Sequence, residues 1–253
     1  MTAIFAPAIA PFDANEQDIS RRLLGPLSGA HLLGTDHLGR DILSRIIFGT
    51  RVALIVSLLA VGLSGVIGVA FGLVSGYFGG WTDDLVSWLV SVQLSFPFIL
   101  LAIAVVAVLG GGLRNLIVVL ALTGWVVYAR VVRAEALSLR ELDYVHAARA
   151  LGAGPPRILL QHVLPNALTP VVVIATFEMA RMIVSEAALS FLGLGVEPAL
   201  ASWGAMLADG RTYLSSAWWV ATFPGLAIAF TVLGANLLGD WLRSELDPRL
   251  SEL

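Results

Sequence analysis

The sequence predicts an all-α, polytopic membrane protein, and three observations carry that prediction. Of its 253 residues, 58% are hydrophobic and 13% charged, whereas a soluble domain carries about a quarter of its residues charged. Five stretches reach the ~20 predominantly apolar residues that a membrane helix needs. None of them alternates apolar and polar residues as a barrel strand would, and backbone groups inside lipid must be satisfied within their own segment, which leaves helix. The formal net charge of −3 adds little. There is no cysteine, which excludes disulfides and Cys-ligated metals, and every basic residue is arginine. A P-loop therefore has no lysine to work with.

The first residues, MTAIFAPAIAP, are apolar but lack a basic n-region, and prolines interrupt them well short of a span. Two readings stand: a short natural N-terminus, or the tail of a first transmembrane helix. The spans are predicted at Val52–Tyr77, Leu85–Leu109, Leu113–Val132, Ala167–Leu189 and Ala217–Leu238. The first carries Gly68, Gly72 and Gly76 at four-residue spacing, which lets another helix approach closely, either within the chain or in a dimer. Pro97 and Pro224 fall inside the second and last spans and predict kinks there. Trp218 and Trp219 open the last span as interfacial belt residues.

Arginine counts in the loops set the orientation. The end of the third span and the loop after it carry Arg130, Arg133, Arg140, Arg149 and Arg157, and the tail carries Arg243 and Arg249. Both are expected in the cytoplasm, with Gly79–Asp84 beside them and the segment before Val52 outside. Asp83 and Asp84 read as a helix start. Arg40, Arg45 and Arg51 strain this orientation, but Asp36/Arg40 and Asp41/Arg45 stand at i,i+4 on an expected helix and would neutralise each other. The chain then divides into an N-terminal stub and extracytoplasmic pre-span segment (1–47), a transmembrane domain (48–243) and a cytoplasmic tail (244–253).

The central loop is the least membrane-like part, YVHAARALGAGPPRILLQHVLPNAL from Tyr144 to Leu168. Ser138 and Glu141 have the spacing of a capping box, predicting a helix over Leu139–Leu151. Gly152 suits a left-handed residue just past its end. Pro155 and Pro156 open a second short helix, Arg157–Leu164, that Pro165 ends. Leu142, Val145 and Leu151 supply an apolar face, while Ala147, Ala148 and Ala150 keep the profile slim. From these residues alone the loop is either a docking element for a partner or an interfacial helix on lipid headgroups.

Three charges fall inside the fourth span. Glu178 and Arg181 are spaced to pair structurally, or they line a pathway together with Glu186, because charge at membrane depth faces a bundle interior or an aqueous cavity. The histidines His31, His37, His146 and His162 show no metal-ligand spacing, so no metal site is expected. Gly193-Leu-Gly195 follows no strand and reads as a turn rather than a nucleotide fingerprint. Basic residues are too scattered for nucleic acid.

The central loop resembles the EAA signature of binding-protein-dependent ABC transporter permeases, carried here by Ala147, Ala148, Gly152, Ile158, Leu164 and Pro165. His146 stands where the family has its acid. The segments LGTDHLGRDILSRIIFGTR, EAALSFLGLGVEPALASWGAML and LGDWLRSELDPRL are similar to the dipeptide, oligopeptide and nickel permease group, and within it to the shorter of two unlike permease subunits. That group has Pro-x-Pro-x-Trp-Gly where this chain has Pro198-Ala-Leu-Ala-Ser-Trp203-Gly204, a minor loop difference. The resemblance covers nearly the whole chain from about Phe5.

The resemblance implies a type I ABC-permease fold, with five spans here against the family's six. It implies that the six loop residues couple to a cytoplasmic ATPase, and that the chain itself is not an enzyme and has no catalytic residue. It further implies ATP and Mg²⁺ on two ATPase partners, a second homologous permease, an extracytoplasmic solute-binding protein, a peptide substrate and a lipid surround in a prokaryotic cell membrane. Glutathione and nickel permeases share the motifs and stand as alternatives on the solute. From other classes, an intramembrane enzyme using Glu178, Arg181 and Glu186, or a passive channel, would have no use for a coupling loop.

Overall fold

A computed structural model of the chain describes residues 3–246. Its elements in order are α1 (Ala6–Ile9), α2 (Ile42–Phe78), α3 (Gly80–Leu94), α4 (Phe98–Leu109), α5 (Leu113–Leu139), α6 (Asp143–Ala150), α7 (Pro155–Ile158), α8 (Leu164–Phe191), α9 (Trp203–Gly210) and α10 (Trp219–Leu246), with single 3₁₀ turns at Ile19–Arg21 and Arg211–Tyr213. Among the described residues, four helices are long and apolar enough to cross a membrane, and the bent pair α3–α4 makes a fifth span if it counts as one.

The second expected span is broken rather than kinked. α3 and α4 meet at 91° across Ser95–Pro97. Pro97 has no N–H to give and disfavours a helical Phe96, while the Ser95 hydroxyl donates back to the Ser91 carbonyl at 2.8 Å. Pro224, by contrast, lies inside a continuous α10. α2 begins ten residues earlier than its apolar run suggests. Asp41 caps it by accepting from the Ser44 N–H at 2.8 Å, and the helix takes in Arg45 and Arg51. At 1.5 Å per residue its 37 residues span about 55 Å, well beyond the ~30 Å hydrocarbon core.

The helices group into two compact units. One comprises the described residues up to Leu59 with Ala102–Leu120 and Ala180–Gly234; the other comprises Ala60–Leu101, Ala121–Met179 and the described residues from Ala235. In the first unit the segment before α2 folds on buried polar groups. Asp36 accepts from the Leu38 and Arg40 N–H groups and from Arg40 Nε at 2.6 Å, and Asp41 meets His31 Nδ1 at 2.9 Å. The expected Asp36/Arg40 pair therefore exists, but on a turn and not a helix. Arg45 faces Asp36 at 3.9 Å rather than Asp41, whose oxygens are engaged by the cap and His31. Trp219 donates its indole N–H to the Thr35 carbonyl at 3.3 Å, so only Trp218, half exposed, has the character of a belt residue.

In the second unit the glycine stripe of α2 lies on α5. A Cβ at Gly72 would stand 2.6 Å from the Ala129 carbonyl oxygen, and one at Gly76 would stand 2.6 Å from that of Arg133. The stripe serves packing within the chain. Trp125 Nε1 donates to Gln93 Oε1 at 2.6 Å, and Gln93 Nε2 donates to the Thr123 carbonyl, a polar tie between α3 and α5. Asp83, in the first turn of α3 as expected, takes both Nε and Nη2 of Arg133. That two-pronged geometry fits the planar guanidinium.

Candidate functional site: the α5–α8 loop

The loop between α5 and α8 is anchored by apolar side chains and presents others outward. Val145 of α6, Ile158 of α7 and Val163 are fully buried, in one cluster with Leu73 of α2, Val132 and Ala136 of α5 and Ala167 of α8. At the opposite extreme Leu151 is 90% exposed, with Leu142, Tyr144 and Leu160 also open. These apolar side chains on the outer side of the loop are left uncovered by the chain itself.

The local geometry follows from the sequence in part. Gly152 adopts φ +86 and ends α6. The Ala153 N–H donates to the Ala148 carbonyl at 3.0 Å, closing the last turn. Gly154 precedes Pro155 and Pro156, which occupy the opening positions of α7, where a missing N–H costs nothing. The capping box does not form. α5 runs on through Ser138 to Leu139, and α6 starts at Asp143 behind Leu142. Packing of Ala136 and a bond from Arg140 Nη1 to the Gly76 carbonyl, at the end of α2, hold the longer α5 in place.

Pro165 does not end the second helix either. The chain passes from α7 through a π turn at Leu159–Val163 directly into α8. The wider turn accommodates the proline ring, which would otherwise clash with the carbonyl four residues back. Arg149 sits over the Tyr77 ring, 5.7 Å from its centroid, and its Nη2 meets the Tyr77 hydroxyl at 3.4 Å.

The six loop residues singled out in the sequence therefore split. Ala147, Gly152 and Pro165 are exposed, Ala148 and Leu164 are half-buried, and Ile158 is an anchor inside the core. Val145, Val163 and Leu151 were not among them. The three-to-four-residue spacing of Val145 with Leu142 was visible, but which face of so short a helix turns inward was not.

The charged residues of α8 part company too. Glu178 is buried, Arg181 is half-buried, and neither lacks a partner. Glu186 is buried two turns further on and accepts from the Ser190 hydroxyl at 2.7 Å and the Ser202 hydroxyl at 2.9 Å. Ser202 is also the N-cap of α9. Glu186 is thus a strut tying α8 to α9. α9 is seated closely there, with Gly204 against the Ala187 backbone and the Trp203 indole donating to the Ile46 carbonyl at 3.0 Å. Within the second unit a hollow of about 570 Å³ lies among α5, α8 and α10, with Glu135, Asn166, Phe177 and Arg243 in its wall. Sequence reasoning gave no sign of it. Arg249 and the rest of the tail from residue 247 lie outside the described residues.

Comparison with known proteins agrees with this architecture. The family model for the binding-protein-dependent transport system inner membrane component matches residues 68–252. A dipeptide transport system permease protein, DppC, of Alkalihalophilus pseudofirmus is 44% identical over 99% of this chain and 82% of its own length. A glutathione transport system permease protein, GsiD, of Pectobacterium atrosepticum is 45% identical over 98% of this chain and 82% of its own. Among solved structures, an inward-facing form of the MetNI methionine ABC transporter superposes with a TM-score of 0.64 at 23% identity, covering 80% of this chain and 96% of that one, which speaks to the fold alone. The chain belongs to the binding-protein-dependent transport system inner membrane components, as a multi-pass permease subunit of an ABC transporter in a prokaryotic plasma membrane and not as an enzyme.

Proposed function

We propose that this chain is the shorter of two unlike permease subunits of an ATP-driven peptide importer, and that the α5–α8 loop couples it to the motor. A permease of this family works with ATPase and other partners. The specific set we assign is a second homologous permease, two cytoplasmic ATPases that carry the ATP and Mg²⁺, and an extracytoplasmic binding protein that delivers the solute. The carrying observation is the loop itself. Its apolar tip at Leu151 stands out, while Val145 and Ile158 lock its base to α2, α5 and α8. A short capped helix so anchored moves as a unit, so a displacement at its tip reaches the spans it is joined to. Ala147, Ala148 and Gly152 form its outer surface and turn, while Ile158, Leu164 and Pro165 carry the motion into α8. Glu178 and Arg181 are assigned to the bundle interior along the pathway, within the domain 48–243.

Peptide is the favoured solute because relatives named for dipeptide and di/tripeptide transport match nearly the whole chain. Glutathione is the second reading, supported by the equally similar glutathione permeases, and it is itself a tripeptide. The test is co-expression with the partners, co-purification, and uptake by proteoliposomes supplied with ATP. Dipeptide uptake that requires all partners is expected. Uptake of glutathione or nickel without dipeptide uptake would reassign the solute, and uptake without the ATPases would make the chain a passive channel.

A further inference from the structure

Arg45, in the first turn of α2, is a buried cation with unused donors. Its side chain is 3% exposed, its ion pair with Asp36 is long at 3.9 Å, and its Nε and Nη1 find no hydrogen-bond acceptor. Neighbouring Arg40 is engaged on both sides, with Nε on Asp36 and Nη2 on Asp209 at 3.3 Å. His37 has a similarly buried and unbonded Nδ1. A buried polar group left without a partner is costly, and such exceptions mark places where water or a ligand completes the shell. Arg45, Arg40 and His37 all border one cavity of about 440 Å³, closed on other sides by Ala208, Asp209 and Glu197. That volume lies within the roughly 300–1,000 Å³ range of small-molecule sites.

The charges in this wall suit a zwitterion. A guanidinium N–H gives a charge-assisted hydrogen bond to a carboxylate, and the carboxylates of Glu197, which is exposed, and Asp209, whose side chain is 39% exposed, can face an ammonium group. We propose that this cavity is a peptide-receiving site in the permease itself, in which Arg45 takes the terminal carboxylate of a short peptide and Asp209 or Glu197 faces its ammonium end. The assignment rests on the functional reading above, which supplies the peptide, together with the orientation expected from the loop arginines, which puts the segment before Val52 outside.

The native chain has no cysteine, so Ala208→Cys places a single reporter in the cavity wall. The complete transporter carrying it is reconstituted in proteoliposomes with the binding protein omitted, and the rate of maleimide labelling is followed. Millimolar L-alanyl-L-alanine should slow labelling about fivefold or more, while its C-terminal amide should slow it less than about twofold, because a site built to bind a polar group rejects an analogue lacking it. Arg45→Gln in the same background should abolish protection, and Arg45→Lys should restore part of it. The acid-versus-amide comparison needs no change at Arg45, so it stands even where Arg45→Gln fails to assemble. Equal protection by acid and amide, or none by either, overturns the proposal. So does protection by added unloaded binding protein alone, which would make the cavity a socket for that partner's side chain. Dipeptide uptake is measured in the same vesicles with the binding protein restored. Intact uptake without protection defeats only this inference, whereas absent uptake in the parent transporter defeats the functional reading.

Discussion

Gly72 and Gly62 lie ten residues apart on α2 and should respond oppositely to a side chain. A Cβ at Gly72 would sit 2.6 Å from the Ala129 carbonyl oxygen and 2.8 Å from Val132 Cβ, where backbone cannot yield. Gly72→Leu is expected to destabilise the purified chain by about 1–3 kcal/mol or more through overpacking. Gly62 has nothing within 4 Å, so Gly62→Ala should be neutral or stabilising by up to about 1 kcal/mol, the usual helix-interior gain over glycine. Thermal unfolding in detergent compares the two, and equal shifts would mean that the α2–α5 contact is not made. Glu186 is the second residue-scale case. Glu186→Ala removes the acceptor for Ser190 and Ser202, and a loss of about 1–3 kcal/mol is expected for stranding buried donors, with Ser202→Ala showing a smaller effect through the α9 cap. A stable Glu186→Ala protein that has lost only transport would instead return Glu186 to the pathway. The sequence marked this carboxylate as costly at depth. Its partner Ser202 lies sixteen residues away across a loop, and nothing in a linear reading joins them.

Elements show a similar division between local and distant causes. The turn at Gly152 was legible, since the positive φ required there favours glycine. Gly152→Val should cost about 1–3 kcal/mol of backbone strain at that turn, loosen the α6–α7 loop and release the ATPases. Leu151→Asp, at the exposed tip, should leave the permease folded and in the membrane yet abolish ATPase co-purification. Ile158→Ala opens the anchoring core and should lower stability by about 2–5 kcal/mol, the cost of a large-to-small change at a buried site. Co-purification together with melting temperature separates these outcomes. If Leu151→Asp keeps wild-type ATPase binding and uptake, the loop is only a membrane-surface helix. The capping box at Ser138–Glu141 misled because a four-residue pattern competes with the packing of the whole α5 helix, and tertiary context overrides such local signals. Pro165 misled for the converse reason, since a π turn upstream absorbs the ring within a continuous helix.

For the whole molecule, orientation is the open physical quantity, and single cysteines in the cysteine-free chain measure it. Ser215→Cys should label from outside intact cells and Ala153→Cys should not; reversed labelling would show that Arg40, Arg45 and Arg51 set the topology. The purified chain alone should show no saturable ATP turnover, since it has no lysine for a P-loop. Composition and apolar run length by themselves determined that this is a helical, multi-pass membrane protein. They did so because hydrocarbon imposes one demand on every residue of a span, and that demand is readable one segment at a time. The motifs marked the loop between α5 and α8 that we propose as the coupling element. Only the tertiary structure decided which loop residues anchor and which face outward, that the second span breaks at a right angle, and that Glu186 is a strut. It also placed Arg45, two of whose nitrogens lack a hydrogen-bond acceptor, beside a cavity. Each of these depends on groups brought together from distant positions, and the energy of such a contact belongs to the pair and is written in neither residue alone.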